Sequence, residues 1–252
     1  MDLTTRSLEG VILSKIPVIE LFGPTIQGEG MVIGRKTMFV RTAGCDYQCA
    51  WCDSAFTWNG AEKQRVRMME PAEILDELLK LGQDRFNHVT ITGGNPALIG
   101  EAMGRFIDLC HQREFQIGLE TQGSCLQDWF FSVDDLTLSP KPPSSGMKTD
   151  WGVLDDIVAQ LSQQSVNFSL KIVVFDNADI AYAKSVFSRY AHVAQKFLQP
   201  GNARVHDQGD ISSHLLERLE WLFQAAIQDP ELNTVRILPQ LHALVWSNQR
   251  EK

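Results

Sequence analysis

The chain has 252 residues, of which 44% are hydrophobic and 21% charged, so it can bury one sizeable core and lacks the composition of a disordered protein. Its formal net charge of −8 argues against a nucleic-acid interface, which needs clustered Lys and Arg. Because no stretch reaches the ~18 apolar residues of a membrane span and the N-terminal segment lacks the layout of a signal peptide, we expect a cytoplasmic protein.

Seven short apolar, β-rich runs predict strands, and helical segments lie between most of them. The predicted strands are residues 37–41, 88–92, 115–120, 136–139, 168–175, 193–198 and 234–238. The predicted helices are residues 71–81, 97–111, 151–161, 178–190 and 211–227. Such alternation predicts right-handed crossovers and a parallel sheet, either open or curled into a full or partial barrel.

We interpret residues 1–252 as a single domain with a core of about residues 18–246. Residues 53–70 carry mixed charges and an Asn-Gly pair, and we predict that they form a surface insertion. The candidate chemistry follows the predicted strands at their C-terminal ends. In parallel α/β folds these ends share one rim, so we expect the residues there to converge on a single pocket.

Five cysteines are present, and three of them, Cys45, Cys49 and Cys52, have the spacing C-x3-C-x2-C. Structural zinc sites and ferredoxin clusters take four protein ligands, whereas three thiolates leave one iron of a 4Fe-4S cube open. S-adenosylmethionine (SAM) can chelate that iron, and one electron then breaks its sulfur–carbon bond to give a 5′-deoxyadenosyl radical. The alternatives are a zinc site completed by a distant His and three unrelated thiols. Cys110 and Cys125 are interpreted as core or subsurface thiols.

The cysteine loop resembles the signature of the radical SAM superfamily in its spacing and in the aromatic Trp51. Four further motifs resemble the 7-carboxy-7-deazaguanine synthase family: Gln-Gly-Glu-Gly (27–30), Thr-Gly-Gly-Asn-Pro (92–96), Glu-Thr-Gln-Gly (120–123) and Ser-Pro-Lys-Pro-Pro (139–143). The resemblance extends over residues 20–246. It implies a partial TIM-like barrel of the (β/α)6 type and a 4Fe-4S cluster, SAM and Mg²⁺ as cofactors.

The resemblance also implies an activity and its partners. Enzymes of this family convert 6-carboxy-5,6,7,8-tetrahydropterin into 7-carboxy-7-deazaguanine with release of ammonia, a step of queuosine (7-deazapurine) biosynthesis. We therefore expect a small carboxypterin substrate and a reducing electron donor such as flavodoxin or ferredoxin. The resemblance further implies a homodimer.

The substrate-binding residues implied by the resemblance come from several strand ends. Arg41 ends a strand, and its guanidinium can pair bidentately with the substrate carboxylate; the alternative is an exposed strand Arg. The alternative for the Gln-Gly-Glu-Gly segment is a turn between strands. The full implied set is Ile26, Gln27, Gly28, Arg41, Thr92 and Gln240, and His242 is interpreted as either a residue near the substrate or a core histidine.

The implied SAM contacts follow the cysteine loop and later strands: Trp51, Cys52, Asp53, Gly94, Glu120, Ser139, Pro140, Lys141, Gln199, Pro200, Gly201 and Asn202. Trp51 would form a wall against the adenine, and Glu120 would hold the ribose hydroxyls or the amino group. Asn95 stands where the superfamily usually has Glu, and its amide could still accept a hydrogen bond from the SAM amino group. Ser54 matches the family's Mg²⁺ ligand, with a turn cap as the alternative.

Three functions remain possible from the sequence. The first is the ring-contracting lyase, and the second is another small radical SAM enzyme, such as an activase that generates a glycyl radical on a protein partner. The third is a non-catalytic iron–sulfur electron carrier, which requires a fourth protein ligand to the cluster.

Overall fold

The computed structural model describes residues 15–252, and within them nine strands form one sheet. The strands are β1 (Ile16–Ile26), β2 (Lys36–Thr42), β3 (Arg67–Met69), β4 (His88–Gly93), β5 (Gln116–Thr121), β6 (Asp135–Leu138), β7 (Phe168–Val174), β8 (Lys196–Pro200) and β9 (Arg236–Ile237). The α-helices in the same range are α1 (Pro71–Gly82), α2 (Glu101–His111), α3 (Trp151–Gln163), α4 (Asn177–Arg189), α5 (Ser212–Ile227) and α6 (Leu241–Trp246).

The strand order is β3-β1-β2-β4-β5-β6-β7-β8-β9. Strands β2 and β4 to β9 pair in parallel and match the seven predicted strands to within a few residues. In the described part of the chain, β3 and β9 lie at opposite edges of the order and do not pair. The sheet is therefore an incomplete barrel, as predicted.

The strict alternation predicted from the sequence is wrong at the N-terminal edge. Strand β1 pairs antiparallel with both β2 and β3. Pro17, Gly23 and Pro24 interrupt its apolar pattern, which is why the sequence does not predict a strand there. Strand β3 falls within residues 53–70, so the last part of that segment belongs to the sheet instead of forming a surface loop.

The helices form where the sequence places them because one face of each is apolar, and α1, α3 and α4 also have side-chain caps at their first turns. In α1 the side chains of Glu70 and Glu73 make a reciprocal capping box, and Pro71 occupies the first turn. The predicted helix 97–111 is divided: Asn95 caps a single 3₁₀ turn (Pro96–Leu98), and α2 begins after Gly100. The connection from β5 to β6 contains a 3₁₀ helix (Asp128–Ser132) in place of an α-helix.

The two faces of the sheet differ in polarity. Apolar residues of the parallel strands pack against the helices in the main core, among them Ile91, Leu119, Leu138 and Ile172. The alternate positions are polar and equally buried, including Thr90, Thr137, Ser169 and Lys171. Because successive strand residues point to opposite faces, these polar side chains line the interior of the barrel.

The curvature of the sheet follows from one contact across that interior. Lys171 on β7 lies 2.7 Å from a carboxylate oxygen of Glu29, which follows β1. In a flat sheet the five steps from β1 to β7 would separate these strands by about 24 Å. The sheet must therefore curl around its polar face, and the interior becomes an enclosed lumen.

Candidate active site

Two adjoining cavities open at the C-terminal ends of the parallel strands. The larger encloses about 430 Å³ and the smaller about 160 Å³. Both are lined by Glu29, Cys52, Ser54, Thr92 and Glu120, so the two cavities share a boundary. We call them the large cavity and the small cavity. Two ligands bound side by side would meet at this shared boundary.

The implied substrate residues converge on the large cavity. Its lining includes Ile26, Gln27, Gly28, Arg41, Thr92 and Gln240. The small cavity brings together most of the implied cofactor residues: Cys45, Cys49, Trp51, Cys52, Asp53, Ser54, Gly94, Glu120, Ser139, Lys141, Gly201 and Asn202. The rim predicted from the parallel topology therefore gathers residues from the whole length of the chain.

Three implied SAM contacts line neither cavity. Pro140, Gln199 and Pro200 are buried, and within the described residues the Gln199 amide has no hydrogen-bond partner. The loop after β8 reaches the small cavity through Gly201 and Asn202. A Cβ on Gly201 would lie 2.0 Å from the Phe175 ring, so a side chain at this position would push that ring out of place. Sequence position alone does not distinguish these neighbouring residues.

The three cysteines of the loop are partly buried, and none of them is in a disulfide. Burial raises the pKa of each thiol, that of Cys49 to about 11, while the Lys141 ammonium acts in the opposite direction. A thiol with a raised pKa ionises when a metal replaces its proton. The positive charge of Lys141 would offset part of the negative charge of three thiolates in this loop.

The spacing of the thiols does not match a single tetrahedral ion. Within residues 15–252, the group of three whose ligand atoms all lie within 4.8 Å of one another is Glu29, Asp53 and His242, and the three cysteines do not form such a group. A tetrahedral zinc ion would hold its thiolate sulfurs about 4 Å apart. The three thiols are therefore not preset for one zinc ion.

Asp46 fixes the cysteine loop to two strand ends. Its Oδ1 accepts hydrogen bonds from Asn95 Nδ2 at 2.9 Å and from Gln122 Nε2 at 2.7 Å. Asn95 follows β4 and Gln122 follows β5. The loop that carries the thiols is therefore tied to the sheet through one carboxylate oxygen of Asp46.

Asn95 does not have the role considered for it from the sequence. Its Nδ2 donates to Asp46 and Ser124, and its Oδ1 accepts from Thr121 Oγ1 at 2.8 Å and from the Ala97 amide at 3.2 Å. An amide has two donors and two acceptor positions, so this side chain has no position left for the SAM amino group. It lines neither cavity. The expectation of a SAM contact is wrong, because the amide is fully used inside the protein.

Trp51 lies where an aromatic wall is needed. Its Nε1 donates to Ser144 Oγ at 3.0 Å, and its ring centroid lies 5.0 Å from that of Phe175. The Lys141 ammonium sits 5.9 Å from the centroid of the same ring. The indole orientation is set by these contacts before any ligand binds.

A buried cluster of three charges lies at the boundary of the two cavities. The Lys171 ammonium is 2.7 Å from Glu29 Oε2 and 2.8 Å from Glu120 Oε2. Gln240 Nε2 donates to the other oxygen of Glu29 at 2.9 Å, whereas Glu120 Oε1 has no partner among the described residues. A buried acceptor without a partner is costly unless a ligand supplies a donor.

The charges of this cluster shift one another. Burial opposes ionisation of Glu29, but the charges of Lys171 and His242 and the hydrogen bonds from Lys171 and Gln240 together outweigh it, so the pKa of Glu29 is lowered. Burial raises the pKa of Glu120, although the charge of Lys171 acts in the opposite direction. Burial would lower the pKa of Lys171, but the two carboxylates outweigh this effect and raise it. Lys171 therefore stays charged, Glu29 stays ionised, and Glu120 takes up a proton more readily than an ordinary Glu.

Arg41 lies on the opposite wall of the large cavity. Its Nε donates to Glu20 Oε2 at 2.8 Å, and its Nη1 lies 3.4 Å from Ser54 Oγ. The guanidinium also sits 5.7 Å and 5.9 Å from the ring centroids of Phe22 and Phe56. One edge of the guanidinium is thus held by Glu20, and the other faces the cavity.

The comparison with known proteins decides the family. The chain is 51% identical over 240 residues to 7-carboxy-7-deazaguanine synthase from Bacillus cereus, a match that spans 94% of this chain and 99% of that protein. It is 53% identical over 239 residues to the protein of the same name from Bacillus subtilis, across 93% and 98% of the two chains. The chain belongs to the 7-carboxy-7-deazaguanine synthase family.

Two further matches agree with this membership. The Radical SAM superfamily pattern matches residues 39–137, which include the cysteine loop and strands β4 and β5. The crystal structure of QueE from Escherichia coli superposes with a TM-score of 0.65 at 22% identity, covering 90% of this chain and 95% of that chain. At that identity the likeness shows the fold alone, and it confirms the partial barrel. A cluster and SAM are the cofactors of this superfamily.

Magnesium fits the residues at the boundary of the cavities. Ser54 Oγ donates to Asp53 Oδ1 at 2.7 Å, and carboxylate oxygens of Asp53 and Glu29 belong to the closely spaced group that also contains His242. Mg²⁺ prefers oxygen ligands and retains several waters. The fit is one of donor type, with hard oxygens from Ser54 and Asp53 beside an open cavity.

The sequence does not predict several residues that line the two cavities, including Glu29 and Lys171, nor the packing of His242. A Cβ on Gly28 would lie 2.3 Å from His242 Nδ1, so this glycine lets helix α6 approach the lumen. The signal that could have identified Lys171 is a lone charge inside the apolar strand Phe-Ser-Leu-Lys-Ile-Val-Val.

Within residues 15–252, no helix has both the length and the apolarity to cross a bilayer.

Proposed function

We propose that this chain is a radical SAM lyase that converts 6-carboxy-5,6,7,8-tetrahydropterin into 7-carboxy-7-deazaguanine and ammonia. The observation that carries the proposal is the pair of adjoining cavities, one with three cysteines and the other with a free guanidinium edge. A radical generated at the cysteine side would meet a carboxylated ring on the other side without diffusing through solvent. Membership of the 7-carboxy-7-deazaguanine synthase family supports this choice over an activase or an electron carrier.

We assign the small cavity to the cluster and SAM. Cys45, Cys49 and Cys52 would hold the 4Fe-4S cluster, which when bound with SAM supplies the radical that starts the reaction. Trp51 would flank the adenine, and Lys141 lies near both the indole and the thiols. The other residues assigned here by their place in the lining are Asp53, Gly94, Ser139, Gly201 and Asn202.

We assign the large cavity to the carboxypterin. Arg41 would bind its carboxylate through the guanidinium edge that Glu20 leaves free. The unpartnered Oε1 of Glu120 is a position for a ring N–H, and its raised pKa also allows a protonated Glu120 to donate to a ring carbonyl. Ile26, Gln27, Gly28, Thr92 and Gln240 would enclose the flat ring.

We assign Mg²⁺ to Ser54 at the shared boundary. A hydroxyl is a weak ligand alone, so substrate oxygens and waters must complete the octahedron. Arg41 Nη1 lies 3.4 Å from Ser54 Oγ, so the ion and the guanidinium would face the same substrate carboxylate. Ser54→Ala is expected to weaken Mg²⁺ binding, measured by isothermal titration with the substrate present, while the iron content stays unchanged.

The decisive experiment is an anaerobic turnover assay. The reconstituted protein, SAM, a reductant, Mg²⁺ and the carboxypterin are incubated, and 7-carboxy-7-deazaguanine is measured by mass spectrometry. We expect product from the wild-type protein and from Arg67→Ala, whose guanidinium pairs with Glu77 at the surface. Arg41→Ala should retain the cluster but lose substrate affinity, by the ~2–5 kcal/mol that loss of a buried charge partner costs. No product from wild-type protein with an intact cluster would contradict the proposal.

The partners proposed for the enzyme are a reducing electron donor of the flavodoxin or ferredoxin type and a second copy of the chain, in the cytoplasm. Leu216, Phe223 and Ile227 supply an exposed apolar stripe along one side of α5, which supports an interface there. Light scattering is expected to give a dimer for the wild type and a monomer for Phe223→Glu. A wild-type monomer at micromolar concentration would contradict this assembly.

A further inference from the structure

One carboxylate on β1 lies between two guanidiniums. The Glu20 side chain is fully buried; its Oε2 accepts from Arg41 Nε at 2.8 Å, and its Oε1 accepts from Arg250 Nε at 2.9 Å. Arg250 Nη2 also donates to Oε1. The two arginines are 209 positions apart in sequence, yet they divide the two oxygens of a single side chain.

Arg250 is held from three sides. Its guanidinium lies 3.5 Å from the centroid of the Phe56 ring, the closest cation–π contact among the described residues. Its Nη1 and Nη2 also donate to the two oxygens of Glu62 at 2.6 Å and 3.1 Å. Residues 247–252, which contain Arg250, line the large cavity. The position of this guanidinium is therefore fixed by contacts that do not involve Arg41.

We propose that Arg250 is a positioning residue for substrate binding: by binding Glu20 Oε1, it prevents Glu20 from pairing with Arg41 through both carboxylate oxygens. The inference rests on the proposed function, in which Arg41 binds the carboxylate of the pterin. Glu20 and the substrate compete for the same guanidinium, because each offers a carboxylate that can pair bidentately with it. While Arg250 occupies Oε1, Glu20 has one oxygen left, and it binds only the Nε side of Arg41.

Removal of Arg250 changes the balance of that competition. Glu20 Oε1 is buried and would lose its hydrogen bonds, which is energetically costly unless another donor replaces Arg250. Arg41 Nε already binds the neighbouring Oε2, so Arg41 Nη2 is placed to supply this donor, whereas Arg65 Nη2 lies 4.0 Å from Oε1. A Glu20–Arg41 pair through Nε and Nη2 would occupy one of the two Nη groups that the substrate carboxylate needs, so the substrate would have to break this pair in order to bind both. Binding of SAM, which we assign to the small cavity, should not be affected.

The experiment measures substrate and SAM parameters separately. For Arg250→Ala we expect the KM for the carboxypterin to rise about tenfold, with kcat, iron content and SAM affinity within about twofold of wild type. Arg250→Lys, which keeps one donor for Glu20, should fall between the two. Arg65→Ala is the matched control, since Arg65 belongs to the same surface network through Glu62 and Glu251 but lies 4.0 Å from Glu20. Its KM should equal that of wild type.

A second variant tests the competition itself. In the Arg250→Ala background, Glu20→Gln removes the charge that captures Arg41, so the KM should fall back by about threefold or more. A purely structural role for Arg250 would instead add the two losses and would lower kcat and the melting temperature. An unchanged KM in a folded Arg250→Ala protein, or a further rise in the double variant, overturns the inference. Absence of product from wild-type protein would refute the proposed function instead, and the affinity of each variant for the carboxypterin would still be measured by titration.

Discussion

The two cavities are organised by different means. Around the small cavity, the cysteine loop is held by hydrogen bonds from Asn95 and Gln122 to Asp46, from Trp51 to Ser144 and from Tyr47 to Lys148, and burial raises the pKa of its thiols. Around the large cavity, ion pairs are already formed without a ligand, as between Arg41 and Glu20 and, at the shared boundary, between Lys171 and two carboxylates. A metal bound to the thiols would add the strongest bonds of the first region, whereas the second is preorganised by the protein.

The difference follows from what each region has to bind. A cluster supplies strong metal–sulfur bonds, so the loop needs only to present three thiols at suitable positions. A pterin supplies hydrogen bonds of modest energy, and these discriminate well only when the protein groups are already fixed and their charges balanced.

The largest effect is expected from the metal-organised side. Cys49→Ala leaves two thiolates for the cluster, so the iron content after reconstitution should fall from about four per chain to near zero, and turnover should vanish. Cys125→Ala is the matched control, since that half-buried thiol donates to the Ala97 carbonyl outside the loop, and it should retain the iron. Retention of about four irons in Cys49→Ala would contradict the assignment of the cluster to the three thiols of the cysteine loop.

The preorganised side should respond in stability as well as activity. Lys171→Met leaves two carboxylates facing each other without a cation, which should lower the free energy of unfolding of the metal-free protein by about 3–5 kcal/mol. Lys196→Met is the control, because that lysine is also buried but donates only to the Ala191 carbonyl. Denaturant titrations of both variants measure the difference. Equal losses of stability in the two variants would show that pairing with the two carboxylates contributes no more than the contacts of another buried lysine.

A pH titration examines the base of the same lumen. Burial lowers the pKa of His88 to about 4, and His88 Nδ1 lies 2.8 Å from Thr37 Oγ1. The unfolded chain binds a proton near pH 6.5 and the folded chain does not, so the contribution is present above pH 6.5 and is lost as the pH falls toward 4. Replacing His88 by Gln should reduce this pH-dependent loss in the free energy of unfolding by about 3 kcal/mol, whereas His192→Gln at the surface should leave it unchanged. Parallel slopes for both variants would contradict the burial argument.

The smallest effect concerns the tie between loop and sheet. Asn95→Asp removes the donor to Asp46 and places two carboxylates together, which should cost about 1–3 kcal/mol of stability and reduce cluster occupancy without abolishing it. The surface variant Asn233→Asp provides the control. Iron analysis and melting curves measure both quantities. A fully occupied cluster in Asn95→Asp would mean that the loop does not depend on this contact.

The sequence predicts those parts of the fold that depend on local periodicity. The seven parallel strands and five of the helices were placed to within a few residues, and C-x3-C-x2-C predicts the cluster loop directly. Strand β1 was missed because prolines and a glycine interrupt its pattern. These elements are encoded within windows of about 10 residues, which is the range over which a pattern can be read.

The rest of the site depends on contacts that no local pattern contains. Lys171 meets partners 142 and 51 positions away, and Arg250 reaches Glu20 across 230 positions. The role of Asn95 was wrong for the same reason, since its amide is consumed by Asp46, Ser124 and Thr121. Motif similarity identifies which positions lie at the rim. It does not show which of their atoms are already bonded within the protein.

The four hydrogen bonds of Asn95 constrain how this position can evolve. A mutation to the acidic residue typical of the superfamily would meet the carboxylate of Asp46, so it is disfavoured as a single step. With Asn at position 46 the same acidic residue would meet a donor instead of a carboxylate. The effects of substitutions at positions 46 and 95 should therefore be non-additive, because the cost at one position depends on the group present at the other.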